Sequence, residues 1–73
     1  MTKREELINM VAWKCVKASS ESRVKSREDF RFFVEEFASS HNRLSTYLYE
    51  GCTRRSRKMF ITKAHKKAKS ILR

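Results

Sequence analysis

The sequence predicts an all-α protein, a compact bundle of about four short helices. The chain has no proline and a single glycine, Gly51, so the tight turns of a hairpin-rich β fold have no residues to build them. Apolar side chains make up 40% of the 73 residues, which suits a core and not a low-complexity linker. They recur at spacings of three and four, the period of a helix with one buried side. The length predicts a single helical domain over residues 1–73. A chain this short buries roughly 60% of the surface its unfolded form exposes, so a second copy or a partner would help stabilise it.

The first helix is predicted to start at Thr2, because Thr2-Lys3-Arg4-Glu5 has the capping-box spacing that satisfies two orphan N–H groups reciprocally. It should run to about Ala18. Leu7, Ile8, Val11, Cys15 and Ala18 form one apolar stripe, while Met10, Trp13 and Val16 lie on other faces, leaving only Asn9, Lys14 and Lys17 clearly polar. A helix apolar on nearly every side is central in its domain or meets a second partner. Two readings stay open: a core helix with an amphipathic Trp edge, or a dimer or partner surface made of Met10, Trp13, Lys14 and Lys17.

The polar, serine-rich run from Ser19 to Lys25 is expected to connect the first two helices, with a short turn around Val24. Ser26-Arg27-Glu28-Asp29 then offers an N-cap hydroxyl and first-turn carboxylates that suit the helix dipole. Phe30, Phe33, Val34 and Phe37 follow at i, i+3, i+4, i+7, the clearest helix signal in the chain. Such a stripe predicts core. Phe32 falls off it and is free to meet another helix or a partner. Ser39-Ser40-His41-Asn42 breaks the pattern, with His41 as a cap or a solvated loop residue. A short third helix is expected over 43–50, with Leu44, Tyr47 and Leu48 inward and Gly51 at its stop. Tyr47 and Tyr49 are minor candidates for offering hydroxyls to phosphate.

Residues 53–73 are predicted to form a strongly basic C-terminal helix. They carry nine Lys or Arg and no Asp or Glu, so they account for +9 of the net charge of +10. Phe60, Ile61, Ala64, Ala68, Ile71 and Leu72 share one arc, and Arg55, Lys58, Thr62, Lys66, Lys69 and Arg73 align opposite, which argues for a docked helix with a basic outer stripe. Solvated faces usually mix signs, whereas a single-sign stripe repels itself. A polyanion relieves that repulsion, and phosphate binding by Lys and Arg also releases condensed counterions. The candidate nucleic-acid-binding residues are therefore Arg54, Arg55, Arg57, Lys58, Lys63, Lys66, Lys67, Lys69 and Arg73. The second helix is expected to pack on the fourth, Phe30, Phe33, Val34 and Phe37 meeting Phe60, Ala64, Ala68 and Ile71.

No catalytic pattern stands out. The sequence has no G-x-S-x-G, no H-E-x-x-H and no glycine-rich phosphate loop, so it predicts no enzyme. Cys15, Cys52, His41 and His65 lack metal-ligand spacing and are expected to be free thiols and surface imidazoles, with no metal and no cofactor. No apolar run is long enough to span a membrane, and the N-terminus turns acidic at Glu5-Glu6 before a signal peptide's apolar region could begin. These features predict an intracellular, cytoplasmic protein.

From residue 11 to residue 36, Val11-Ala12, Val16-Lys17, Ser19, Glu21, Val24, Arg27, Phe30, Phe33 and Glu36 resemble the first half of the phage anti-sigma factor family typified by AsiA. The resemblance implies a small all-α protein acting in a bacterial host cell. Its first helix would serve as the interface to region 4 of the RNA polymerase sigma subunit, and as a homodimer contact. The family has no counterpart to Arg54-Arg55-Ser56-Arg57-Lys58.

Together these features predict a non-enzymatic, nucleic-acid-binding regulator of gene expression, acting with the transcription machinery and contacting DNA in preference to RNA. The alternative is an anti-sigma or RNA polymerase-binding protein that works mainly through its first helix. A third possibility is a membrane-surface or calmodulin-like target helix, which a basic amphipathic segment also fits.

Overall fold

The computed structural model describes residues 2–18 and 24–72. Among the described residues four helices follow one another: α1 (Lys3–Ala18), α2 (Arg27–Ser39), α3 (Asn42–Tyr49) and α4 (Arg54–Leu72). Among the described residues there is no strand. The all-α bundle expected from the sequence is what forms. The connection expected at Ser19 to Lys25 falls largely outside the described residues, apart from Val24 and Lys25.

Each helix begins on a side chain that accepts a backbone N–H from its first turn, which is why the boundaries fall where they do. Thr2 Oγ1 accepts from Glu5 N at 3.2 Å, Ser26 Oγ from Asp29 N at 3.3 Å and Thr53 Oγ1 from Ser56 N at 3.1 Å. His41 caps α3, its Nδ1 accepting from Leu44 N at 3.2 Å. Gly51 ends α3 without the left-handed backbone common at helix stops. A Cβ there would sit 3.0 Å from the Tyr47 carbonyl oxygen, a tight contact that would make the turn give by a few tenths of an ångström.

The core draws on every helix. Val11, Ala12 and Cys15 of α1, Phe30 and Val34 of α2, Leu44 and Leu48 of α3, and Phe60, Ala64 and Ala68 of α4 are all buried. The longest contact is α4 on α1, with α2 meeting α4 over a shorter stretch, so the expected pairing of α2 with α4 is the lesser of two. Both α1 and α4 bring small buried side chains, Ala12 and Cys15 on one, Ala64 and Ala68 on the other, and small residues let helix backbones approach. The aromatic stripe of α2 is divided among neighbours: Phe30 meets His65 of α4 at 5.1 Å between ring centroids, while Phe37 lies 5.4 Å from the capping ring of His41.

Two expectations need correction. His65 is not a surface imidazole but a buried member of the α4 core face, and its Nε2 donates to the Val24 carbonyl. Leu72 lies exposed instead of completing the apolar arc, and Ile71 is half-buried. Tyr47 faces inward, as the spacing predicts, its hydroxyl accepting from Arg4 Nη1 at 3.3 Å and its ring 5.9 Å from that of Phe60. Arg4 also donates to Ser56 Oγ at 3.1 Å and Ser56 O at 3.2 Å, so one arginine of α1 ties α3 and α4 together. Cys15 and Cys52 are free thiols, and among the described residues no three His, Cys, Asp or Glu converge to hold a metal ion.

The His65 contact gives a direct stability expectation. His65→Leu keeps the buried volume but leaves the Val24 carbonyl without its donor, an omission that costs about 1–3 kcal/mol. Urea melts should show that loss, and His65→Gln, which retains a donor, should recover part of it.

Candidate nucleic-acid interface

The charge distribution of α4 follows from its sequence. The helix spans 19 residues and is about 28 Å long at 1.5 Å per residue, close to the full 31 Å long dimension of the molecule. Its eight Lys and Arg are joined by no carboxylate. Arg54, Arg55, Lys58, Lys63, Lys66, Lys67 and Lys69 are exposed, and Arg57 is half-buried. Arg73 lies outside the described residues. The opposite face is consumed by the core, with Phe60, Ile61, Ala64, His65 and Ala68 buried. Insertion of that face into a membrane or a calmodulin-like groove would therefore require α4 to leave the bundle. Among the described residues no helix is long and apolar enough to cross a membrane.

The N-terminal end of α4 runs against helix electrostatics. Arg54, Arg55, Arg57 and Lys58 crowd its first turns, where the dipole is positive and a cation is disfavoured by roughly 0.3–1 kcal/mol. The other two long helices, α1 and α2, place Glu5 and Glu6, and Glu28 and Asp29, at that position. Cationic crowding at the wrong pole is a standing instability that a bound anion would remove.

The fold adds cations that the sequence reading did not assign. Arg27 of α2 reaches across to α4, its Nη2 2.9 Å and its Nε 3.3 Å from Thr62 Oγ1, with Nη2 also 3.4 Å from the Lys58 carbonyl. Arg57 Nη1 donates to the Leu48 carbonyl at 3.0 Å, and its guanidinium lies over the Tyr49 ring at 5.1 Å. The partners in all these contacts are hydroxyls, carbonyls and an aromatic face. Such groups fix an arginine in place without cancelling its charge, so less side-chain freedom is lost when an anion binds. The signal was available in outline, since Arg27 and Arg31 lie at i, i+4 on one side of α2.

Among the described residues, three concave regions that border the stripe can be delineated. Between α1 and α4, Lys63, Lys66 and Lys67 face Glu5, Ile8 and Asn9 across an open groove. On the other flank, Lys58, Met59, Thr62, Lys63 and Lys66 of α4 run beside Arg27. The third is a more enclosed recess of about 220 Å³ where α2, the end of α3 and the start of α4 meet. Arg27, Arg31, Arg54, Arg57 and Lys58 line it together with one carboxylate, Glu35.

The expected partner surface on α1 is a separate face. Trp13 is 48% exposed, Lys14 and Lys17 are exposed, and Met10 and Val16 pack half-buried against the core edge. Phe32 and Tyr49, at 46% and 49% exposure, are the large aromatic groups left outward on α2 and α3. Comparison with protein-family models, with curated proteins and with solved structures finds no significant match.

Proposed function

We propose that this chain is a non-enzymatic, nucleic-acid-binding regulator of gene expression that contacts the phosphate backbone through the outer face of α4. The observation that carries it is an acid-free helix, docked by its apolar face, whose exposed cations run along nearly the whole length of the molecule. Arg27 widens that face, and Arg54, Arg55 and Lys58 sit at the positive pole of α4, where a bound anion would relieve their repulsion. Phosphate contacts give affinity and register but no choice of sequence. Sequence preference then comes from a protein partner or stays weak, which suits action alongside the transcription machinery. A-form RNA presents the same phosphates, with duplex DNA the preferred ligand because its wide major groove admits an α-helix whereas the A-form major groove is deep and narrow.

Binding should feed back on stability. A ligand that binds only the folded state at a hundredfold above its Kd stabilises it by about 2.7 kcal/mol, roughly 10–20 °C in Tm for a domain of this size. Thermal melts with duplex DNA should show that rise at low salt. An unchanged Tm at saturating DNA would contradict the proposal.

A second reading has its own support in the exposed Trp13 on α1. There the chain acts as an anti-sigma or RNA polymerase-binding protein, or self-associates, through Met10, Trp13, Lys14 and Lys17. At 48% exposure, Trp13→Ala is expected to change stability by no more than about 1 kcal/mol, while an interface tryptophan contributes 2 kcal/mol or more to binding. Denaturant melts beside sedimentation, with and without polymerase holoenzyme, separate these effects. A large stability loss with unchanged association would remove this reading.

A further inference from the structure

We infer that the recess between α2, the end of α3 and the start of α4 is a phosphomonoester pocket that receives the terminal phosphate of a nucleic-acid strand. This rests on the nucleic-acid reading of α4 and adds to it a discrimination that an open basic stripe does not provide.

The recess is concave and its volume of about 220 Å³ lies below the roughly 300–1,000 Å³ of sites that engulf a whole small molecule. It has room for a phosphoryl group and the sugar that bears it. Five cations line it against the single carboxylate of Glu35. Two of the five are held in advance by neutral groups: Arg27 by Thr62 and the Lys58 carbonyl, Arg57 by the Leu48 carbonyl and the Tyr49 ring. Arg31 pairs with Glu28 at 3.8 Å and lies over the Phe32 ring at 5.1 Å, and its Nε is buried with no hydrogen-bond partner among the described residues. The recess also opens at the positive pole of α4, where the dipole favours an anion.

Charge and shape select the ligand. An internal phosphodiester carries one negative charge and is flanked by sugars on both sides, so it fits the open stripe better than a recess. A terminal phosphomonoester carries a charge of about −1.5 to −2 at neutral pH, offers three acceptor oxygens and enters by a free end. Tyr49, half-exposed at the rim, offers an aromatic face to the first base, as stacking platforms do in single-strand binders. The recess adjoins the flank of α4 through Arg27 and Lys58, which border both, so one strand can end in the pocket while its backbone follows the stripe.

The experiment compares the full chain's affinity for one short duplex bearing 5′-phosphates with that for the same duplex bearing 5′-hydroxyls, at low salt, by fluorescence anisotropy. The phosphorylated duplex should bind about tenfold more tightly, the effect of one additional charge-assisted hydrogen bond. Arg31→Gln and Arg54→Gln should each shrink that ratio toward one. Lys66→Gln, on the outer stripe, should weaken both duplexes alike and leave the ratio intact. A ratio near one with both duplexes bound would overturn the pocket and leave the backbone-binding reading standing. Binding of neither duplex would overturn both. Tighter binding of a phosphoserine peptide than of the phosphorylated duplex would assign the recess to a protein ligand and overturn the proposal as stated. Two-dimensional NMR spectra of the variants check that each remains folded.

Discussion

Phe60→Ala is expected to leave the chain on the edge of unfolding at 25 °C. The Phe60 side chain is wholly buried, lies 5.9 Å from the Tyr47 ring and carries the Arg4 guanidinium 5.8 Å from its centroid. It thus sits where α1, α3 and α4 meet. Truncating a buried phenylalanine costs about 3–5 kcal/mol in lost transfer energy and cavity formation. Domains hold only about 0.05–0.15 kcal/mol per residue, so this chain has roughly 4–11 kcal/mol in total. Circular dichroism melts in urea should show the midpoint collapse. Phe32→Ala, at a ring 46% exposed, should shift stability by no more than about 1 kcal/mol. Equal losses at the two positions would mean that the core is misplaced.

Neutralising the start of α4 should have opposite effects on binding and on stability. In the triple variant Arg54→Gln, Arg55→Gln, Lys58→Gln the three exposed cations of the first turns are removed, while Arg57, which holds the Leu48 carbonyl, is kept so that the fold is not disturbed. If each contacts one phosphate, the slope of log K against log salt should flatten by about 2.7 units at 0.9 per contact. Affinity at low salt should fall on the order of a hundredfold, each charge-assisted contact contributing about 1 kcal/mol. Without nucleic acid the variant should be more stable than the parent by about 1 kcal/mol, because three cations have left the positive pole of a helix. A gain in stability with loss of binding is the signature of residues kept for a ligand. Loss of stability would mean that these side chains hold the bundle together.

Much of the fold was legible because its signals are local. Thr2, Ser26 and Thr53 cap their helices through hydroxyls close to the N–H groups they satisfy, and the Phe30-Phe33-Val34-Phe37 stripe announces its buried side by spacing alone. What escaped the sequence depends on partner choice. His65 carries a polar ring, so its place in the α4 core becomes visible only when Val24 supplies a carbonyl and Phe30 a face. Arg4 reads as one more surface cation until Tyr47, Ser56 and Phe60 surround it. The two clearest stripes suggested α2 against α4, but small buried residues of α1 take most of that helix. The candidate site divides the same way. The exposed cations of α4 follow from helical periodicity, whereas Arg27 and Arg31 join them only because α2 crosses beside Thr62.

The most direct test of the central claim is the salt dependence of DNA binding by the unmodified chain. With roughly four to seven phosphates contacted along α4, log K against log salt should be linear with a slope of about −4 to −6 for duplex DNA, similar for unrelated sequences. No binding at about 50 mM salt, or an affinity that barely changes between 50 and 200 mM, would contradict the assignment of α4 as a phosphate-backbone contact.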